Sequence, residues 1–131
     1  LATGSFAFAE PVSYPVGRFP EAAAIADFDG DGNLDVATTN YFDDNVAVLF
    51  GEGNGTLRTA VFVDVEEGPR GMVAFDVNGD TRVDLVTANQ DAGTLSILLN
   101  QQGVAPTPTP QPTITPTPSM RCTGDCDASA A

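Results

Sequence analysis

Asp27, Asp29, Asp31, Asn33 and Asp35 occupy alternate positions of one nine-residue stretch, with Gly30 and Gly32 between them. Forty-nine residues on, Asp76, Asn78, Asp80, Arg82 and Asp84 repeat that spacing around Gly79. Alternate side chains can converge on one point only where the backbone curls, and glycine permits the curl. A ring of hard oxygen donors with neither Cys nor His selects Ca²⁺ over Zn²⁺ or Cu²⁺. Side chains at positions 1, 3, 5 and 9, the backbone carbonyl at position 7 (Asn33 or Arg82) and water would coordinate at roughly 2.3–2.6 Å. The Arg82 side chain is expected to point away from the ion. Two carboxylates about 5 Å apart repel by roughly 3 kcal/mol at an effective dielectric near 20. Four of them in one turn therefore argue for a cation, two ions in all. The competing reading is a solvated acidic turn in which Asp and Gly serve only to bend the chain; two copies in register weigh against it.

The elements that must hold these loops are strands. An EF-hand would need Glu at position 12 and helical flanks, but position 12 is Thr38 in the first copy and Thr87 in the second. Short apolar and β-branched runs cover Ala22–Ala26, Val36–Thr39, Val46–Phe50, Val61–Val65, Met72–Phe75, Leu85–Ala88 and Leu95–Leu99, bounded by Gly, Asn and Asp. No stretch carries apolar residues at helical spacing over a helical length. The register between the copies holds without gaps from Ala24 to Phe50 against Val73 to Leu99, and Gly4-Ser5-Phe6 pairs with Gly55-Thr56-Leu57 after a two-residue length difference. A period near 49 lies in the range of propeller blades, roughly 40–50 residues, rather than of helical solenoids.

Composition bounds the function. The chain has 131 residues, 5 Arg and Lys together against 18 acidic residues, a net charge of −13 and no His. Counterion release from nucleic acid needs basic groups that this surface lacks, and an anionic membrane is disfavoured for the same reason. Without His, a Ser-His-Asp triad and imidazole metal ligands are excluded. No run approaches the ~18 consecutive apolar residues of a membrane span. The adjacent pairs Asp43-Asp44 and Glu66-Glu67 read as solvated turns rather than catalytic dyads. Gly51-Glu52-Gly53-Asn54-Gly55-Thr56 lacks the Lys of a phosphate loop and reads as a hairpin turn, and Asn54-Gly55-Thr56 fits a glycosylation sequon.

The stretch Ala24-Ile25-Ala26-Asp27-Phe28-Asp29-Gly30-Asp31-Gly32-Asn33-Leu34-Asp35-Val36-Ala37 resembles the FG-GAP/VCBS repeats of integrin-like β-propellers, and matching segments run from about Phe6 to Gly103. The resemblance implies a four-stranded blade with a calcium loop between its first and second strands. It carries the ligand positions over to Asp27, Asp29, Asp31, Asn33 and Asp35, and to Asp76, Asn78, Asp80, Arg82 and Asp84. The second copy has Asn78 for Asp29 and Thr81 for Gly32, which suggests weaker binding there.

The expected organisation is all-β. Residues 1–104 form two four-stranded antiparallel β-propeller blades (repeats about 6–54 and 55–103), a partial propeller. A disordered Pro/Thr linker follows at 105–119, then a tail at 120–131 with Cys122 and Cys126. That tail resembles the start of a dockerin-like or EF-hand module, and a local disulfide would suit an exported protein. The chain reads as an excerpt of a longer protein. Since two blades cannot close a ring of 4–8, other blades or other copies are expected partners, and Phe6–Val12 could supply a missing outer strand. The expected function is a non-catalytic, extracellular or cell-surface module for adhesion or for binding protein or carbohydrate. The alternatives are part of a propeller enzyme such as a polysaccharide lyase, or a structural spacer.

Overall fold

A computed structural model describes residues 4–102, and the Pro/Thr stretch and the Cys122–Cys126 tail lie outside the described residues. Seven strands form: β1 Pro20–Ala26, β2 Asp35–Asn40, β3 Asn45–Leu49, β4 Val61–Asp64, β5 Pro69–Phe75, β6 Asp84–Asn89 and β7 Thr94–Leu98. All seven apolar runs became strands, and the described residues contain no helix. Every pairing is antiparallel, giving one sheet in the order β1-β2-β3-β4 and a second in the order β5-β6-β7. Among the described residues no helix is long and apolar enough to cross a membrane.

The register repeats with the sequence. Ile25 faces Val36 and Val36 faces Leu49 in the first sheet, as Ala74 faces Leu85 and Leu85 faces Leu98 in the second. Both inner hairpins carry a register shift near their proline, at Pro20 and at Pro69, where a missing N–H breaks the ladder.

The two sheets stack through opposite faces. Strand pairing puts Ala24, Ala26, Ala37, Val46 and Val48 on one face of the first sheet, and these pack against Met72, Ala74, Leu85 and Leu98 of the second, with Phe28 between. The 49-residue equivalents of that first face are Val73, Phe75, Val86, Leu95 and Ile97. They form the far side of the second sheet, where Val73, Phe75, Leu95 and Ile97 are each half or more exposed. The same sequence pattern therefore builds a face that is covered in one sheet and open in the other.

Three expectations about strands differ from the structure. The second sheet has three strands among the described residues, not four. The fourth strand of the first sheet, Val61–Asp64, comes from beyond the Asn54-Gly55 turn, so the structural unit runs later than the sequence repeat drawn at residue 54. Phe6–Val12 forms no strand; Phe6 and Phe8 are 86% exposed and touch only edge to face, 5.0 Å between centroids. Residues 13–19 instead reach the outer side of the first sheet. Tyr14 Oη accepts the Leu57 N–H at 3.1 Å, and a Cβ on Gly17 would fall 2.5 Å from the Asn40 side chain.

Candidate metal centre

Each acidic loop joins two strands, as the resemblance implied: the first lies between β1 and β2, the second between β5 and β6. The first aspartate organises the bend. Asp27 Oδ1 accepts the N–H groups of Gly30 (2.7 Å) and Asp31 (3.1 Å), and its Oδ2 accepts that of Gly32 (2.9 Å). Asp76 does the same with Gly79 (2.7 Å), Asp80 (3.1 Å) and Thr81 (2.8 Å). Gly32 sits at φ +89° and its counterpart Thr81 at φ +71°. A β-branched residue is strained in this left-handed region, so the second loop holds its shape against its sequence.

The last aspartate of each loop is buried and acts as a clasp. Asp35, 0% exposed, accepts the Phe28 N–H on Oδ2 (2.7 Å) and the Gly51 N–H on Oδ1 (2.8 Å). Asp84, 1% exposed, accepts Val77 N–H (2.9 Å) and Asn100 N–H (2.7 Å). It thus ties the loop to the residues that follow the third strand of its sheet. Asn100 also donates to the Phe28 and Val83 carbonyls (2.7 and 3.1 Å), which links the two loops. Sequence reasoning offered Asp35 and Asp84 as ligands only; their structural role depends on backbone groups brought up by folding.

Three carboxylates converge in each loop, with one oxygen apiece lying within 4.8 Å of the others: Asp27, Asp29 and Asp35 in the first, Asp76, Asp80 and Asp84 in the second. The member that differs follows the sequence, since the second loop has Asn78 where the first has Asp29. Asp31 turns to the Asn33 N–H (2.8 Å) and Asn33 Nδ2 (3.1 Å). Asn78 Nδ2 lies 3.3 Å from Asp80 Oδ2. Burial pushes the Asp29 carboxyl above the ordinary carboxylate value, with Asp31 and Asp35 adding charge repulsion. The Asn33 N–H holds Asp31 below it, and the Arg82 N–H does the same for Asp80.

Arginine enters both loops. Arg82 does not point away: its Nη2 stands 3.0 Å from Asp80 Oδ2, while its Nε donates to the Asn100 carbonyl (3.1 Å). The loop's own turn brings it there, because the nearest uncompensated charge is two residues back. Arg58, from the segment between β3 and β4, reaches Asp29 and Asp31 (3.4 and 3.6 Å) and covers the Phe50 ring. No local signal in the sequence pairs Arg58 with a loop 29 residues away. Asp43 and Asp44 are not merely solvated: Asp43 takes Arg18 N–H and Nε (2.7 and 2.6 Å), and Asp44 takes the Gly68 N–H (2.9 Å).

Neither curated proteins nor solved structures gave a match. The family model of the FG-GAP-like repeat matches residues 27–87, from the first aspartate of the first loop through the second loop into β6. With two antiparallel sheets that repeat their register and their loops, this stretch is FG-GAP-type repeat sequence.

Proposed function

We propose that the chain is a non-catalytic, extracellular calcium-binding module built of β-propeller blades, in which Ca²⁺ braces the strand hairpins while exposed loops bind protein or carbohydrate. The observation that carries the reading is the pair of oxygen-only carboxylate clusters at equivalent bends of the two sheets. The donor set fits a hard divalent cation: carboxylates, amides and backbone carbonyls, with no soft ligand at either bend. Asp27, Asp29 and Asp35 would hold one ion and Asp76, Asp80 and Asp84 the other, with Asp31, Asn33, Asn78 and the backbone at Arg82 within the same turns. Cation entry displaces the Arg58 and Arg82 guanidinium groups from the carboxylates they now partner. The open apolar face of the second sheet supports a larger propeller-type assembly, because its equivalent in the first sheet is packed against a neighbouring sheet.

Calcium titration by calorimetry tests the metal reading. The parent chain is expected to take up two ions, and Asp27→Ala and Asp76→Ala one each. Absence of heat in millimolar calcium refutes the metal, and variants that bind like the parent refute the assigned loops.

A further inference from the structure

The chain contains two Asn-Gly dipeptides, Asn54-Gly55 in the connection between β3 and β4 and Asn78-Gly79 in the second acidic loop. An asparagine before glycine is open to attack by its own backbone, because no Cβ shields the following nitrogen. Both asparagines are exposed, and both glycines lie at positive φ, +93° and +79°. A Cβ on either glycine would meet nothing within 4 Å. Sequence and steric access therefore do not separate the two sites; their hydrogen bonds do.

At the second site the nitrogen that would attack is engaged. The Gly79 N–H donates to Asp76 Oδ1 at 2.7 Å. A carboxylate beside that N–H opposes removal of its proton, since the charge left on nitrogen would face a like charge. Asn78 Oδ1 accepts one N–H, that of Asp80, at 3.2 Å. At the first site, among the described residues, no hydrogen bond takes up the Gly55 N–H. Asn54 Oδ1 accepts two donors from Thr56, the hydroxyl at 2.6 Å and the N–H at 3.0 Å. Two donors on a carbonyl oxygen draw electrons from its carbon and stabilise the negative charge that addition places on the oxygen. The Glu52 N–H on the Thr56 carbonyl (2.9 Å) and the Gly51–Leu57 bridge close the same turn, so Thr56 is held where it can act.

We infer that Asn54, and not Asn78, is a site of spontaneous covalent modification in the folded chain, where the side-chain amide closes onto the Gly55 nitrogen and is lost as ammonia. Hydroxide takes the Gly55 amide proton, and a bond forms between that nitrogen and Asn54 Cγ. Oδ1 carries the resulting negative charge while both Thr56 groups donate to it. The Cγ–Nδ2 bond then breaks, and Nδ2 leaves as ammonia with a proton from water. Water opens the cyclic imide at either carbonyl, leaving an aspartyl or an isoaspartyl residue at position 54, with nothing oxidised or reduced. Either product adds one negative charge to the turn. The isoaspartyl product also lengthens the backbone by one methylene and takes away the acceptor that Thr56 bonds. The turn leads to Arg58, whose guanidinium reaches Asp29 and Asp31. The modification therefore alters the surroundings of the first acidic loop with time and leaves the second loop as it was.

Ageing of the full chain tests this, in mildly alkaline buffer with chelator and, in parallel, in concentrated urea. Trypsin cleaves after Arg18, Arg58, Arg70 and Arg82, which puts the two asparagines in separate peptides, residues 19–58 and 71–82. Fragmentation mass spectrometry assigns the mass gain of amide-to-acid conversion to a position, and labelling by an isoaspartyl methyltransferase detects the isoaspartyl product. Circular dichroism confirms that the buffer sample stays folded. There, position 54 should convert on the order of tenfold faster than position 78, the effect of one or two net hydrogen bonds. In urea, which removes both sets of bonds, the two rates should agree within about threefold. Thr56→Val, at an exposed position, removes the hydroxyl donor and should slow conversion at position 54 about fivefold in buffer and not in urea. Equal rates at the two positions of the folded chain, faster conversion at position 78, or a Thr56→Val chain that ages like the parent would overturn the inference. Calcium is absent throughout, so the outcome does not depend on the metal reading.

Discussion

Asp35→Asn separates the clasp from the ligand. The carboxylate is 0% exposed, and each of its oxygens accepts one backbone N–H, from Phe28 at 2.7 Å and from Gly51 at 2.8 Å. An amide of the same shape keeps one acceptor and turns two donors toward the other N–H. One buried N–H is left without a partner, at about 1–3 kcal/mol. For a domain of 60–100 residues, 1 kcal/mol moves the melting temperature by about 4–8 °C, so the variant should melt on the order of 5–20 °C below the parent. The melt is followed by far-UV circular dichroism in chelator, where lost coordination cannot contribute. Asp31→Asn, at an exposed position of the same loop, should stay within about 0.5 kcal/mol of the parent. Asp84→Asn should behave like Asp35→Asn, because Val77 and Asn100 take the places of Phe28 and Gly51. If Asp35→Asn melts with the parent in chelator and loses only calcium affinity, the carboxylate is a ligand without a structural role and the clasp argument fails.

Thr81→Gly should raise the unfolding free energy measured in urea by about 1 kcal/mol, because relief of about 1–3 kcal/mol of strain at φ +71° outweighs the extra freedom of the unfolded chain; Gly32→Thr should lose a similar amount. The Arg18 backbone N–H, and then its side chain, hold Asp43 below its ordinary value of 3.8. A depressed folded value stabilises above the unfolded one and is lost as pH falls through the folded one. The gap in stability between parent and Asp43→Asn should therefore stay constant above about pH 5 and close as pH drops below 3.8; a gap that persists in acid would show that charge has no part in it.

Element type was legible because it depends on neighbours in sequence. Runs such as Val46-Ala47-Val48-Leu49 are apolar, β-branched and fenced by Asn45 and Gly51, and nothing distant competes for them. The converging carboxylates of the loops were legible for the same reason, since spacing and turn residues lie within nine positions. What was not legible depends on residues far apart. Val61–Asp64 reads as a strand, but its partner is β3 rather than β5, and only assembly decides that. Adjacent acids such as Asp43 and Asp44 look solvated until Arg18 and Gly68 arrive from 25 and 24 residues away. Phe6–Val12 has the composition of a strand, and a strand without a partner edge is not formed.

The loops also show why carboxylate repulsion alone does not determine how tightly a cation binds. Asp27 is surrounded by three backbone N–H groups, and Arg58 lies 3.4 and 3.6 Å from Asp29 and Asp31 with nearly half of its side chain exposed. These donors already offset part of the negative charge, so an incoming ion competes with a guanidinium rather than meeting a bare ring. A divalent cation about 5 Å from that guanidinium is repelled by roughly 1.7 kcal/mol even at the dielectric of water, and breaking the exposed ion pair costs about 0–1 kcal/mol more. Arg58→Ala should therefore tighten calcium binding at the first loop by about 2–3 kcal/mol at most, roughly twenty- to a hundredfold, at low salt. The gain should shrink in 1 M salt, where the Debye length falls to about 3 Å. The second loop supplies the control, because its guanidinium is Arg82 and does not change. Equal first-loop affinities for Arg58→Ala and the parent in low salt would mean that Arg58 moves aside without cost, and that the fewer carboxylates of the second loop alone set the difference between the sites.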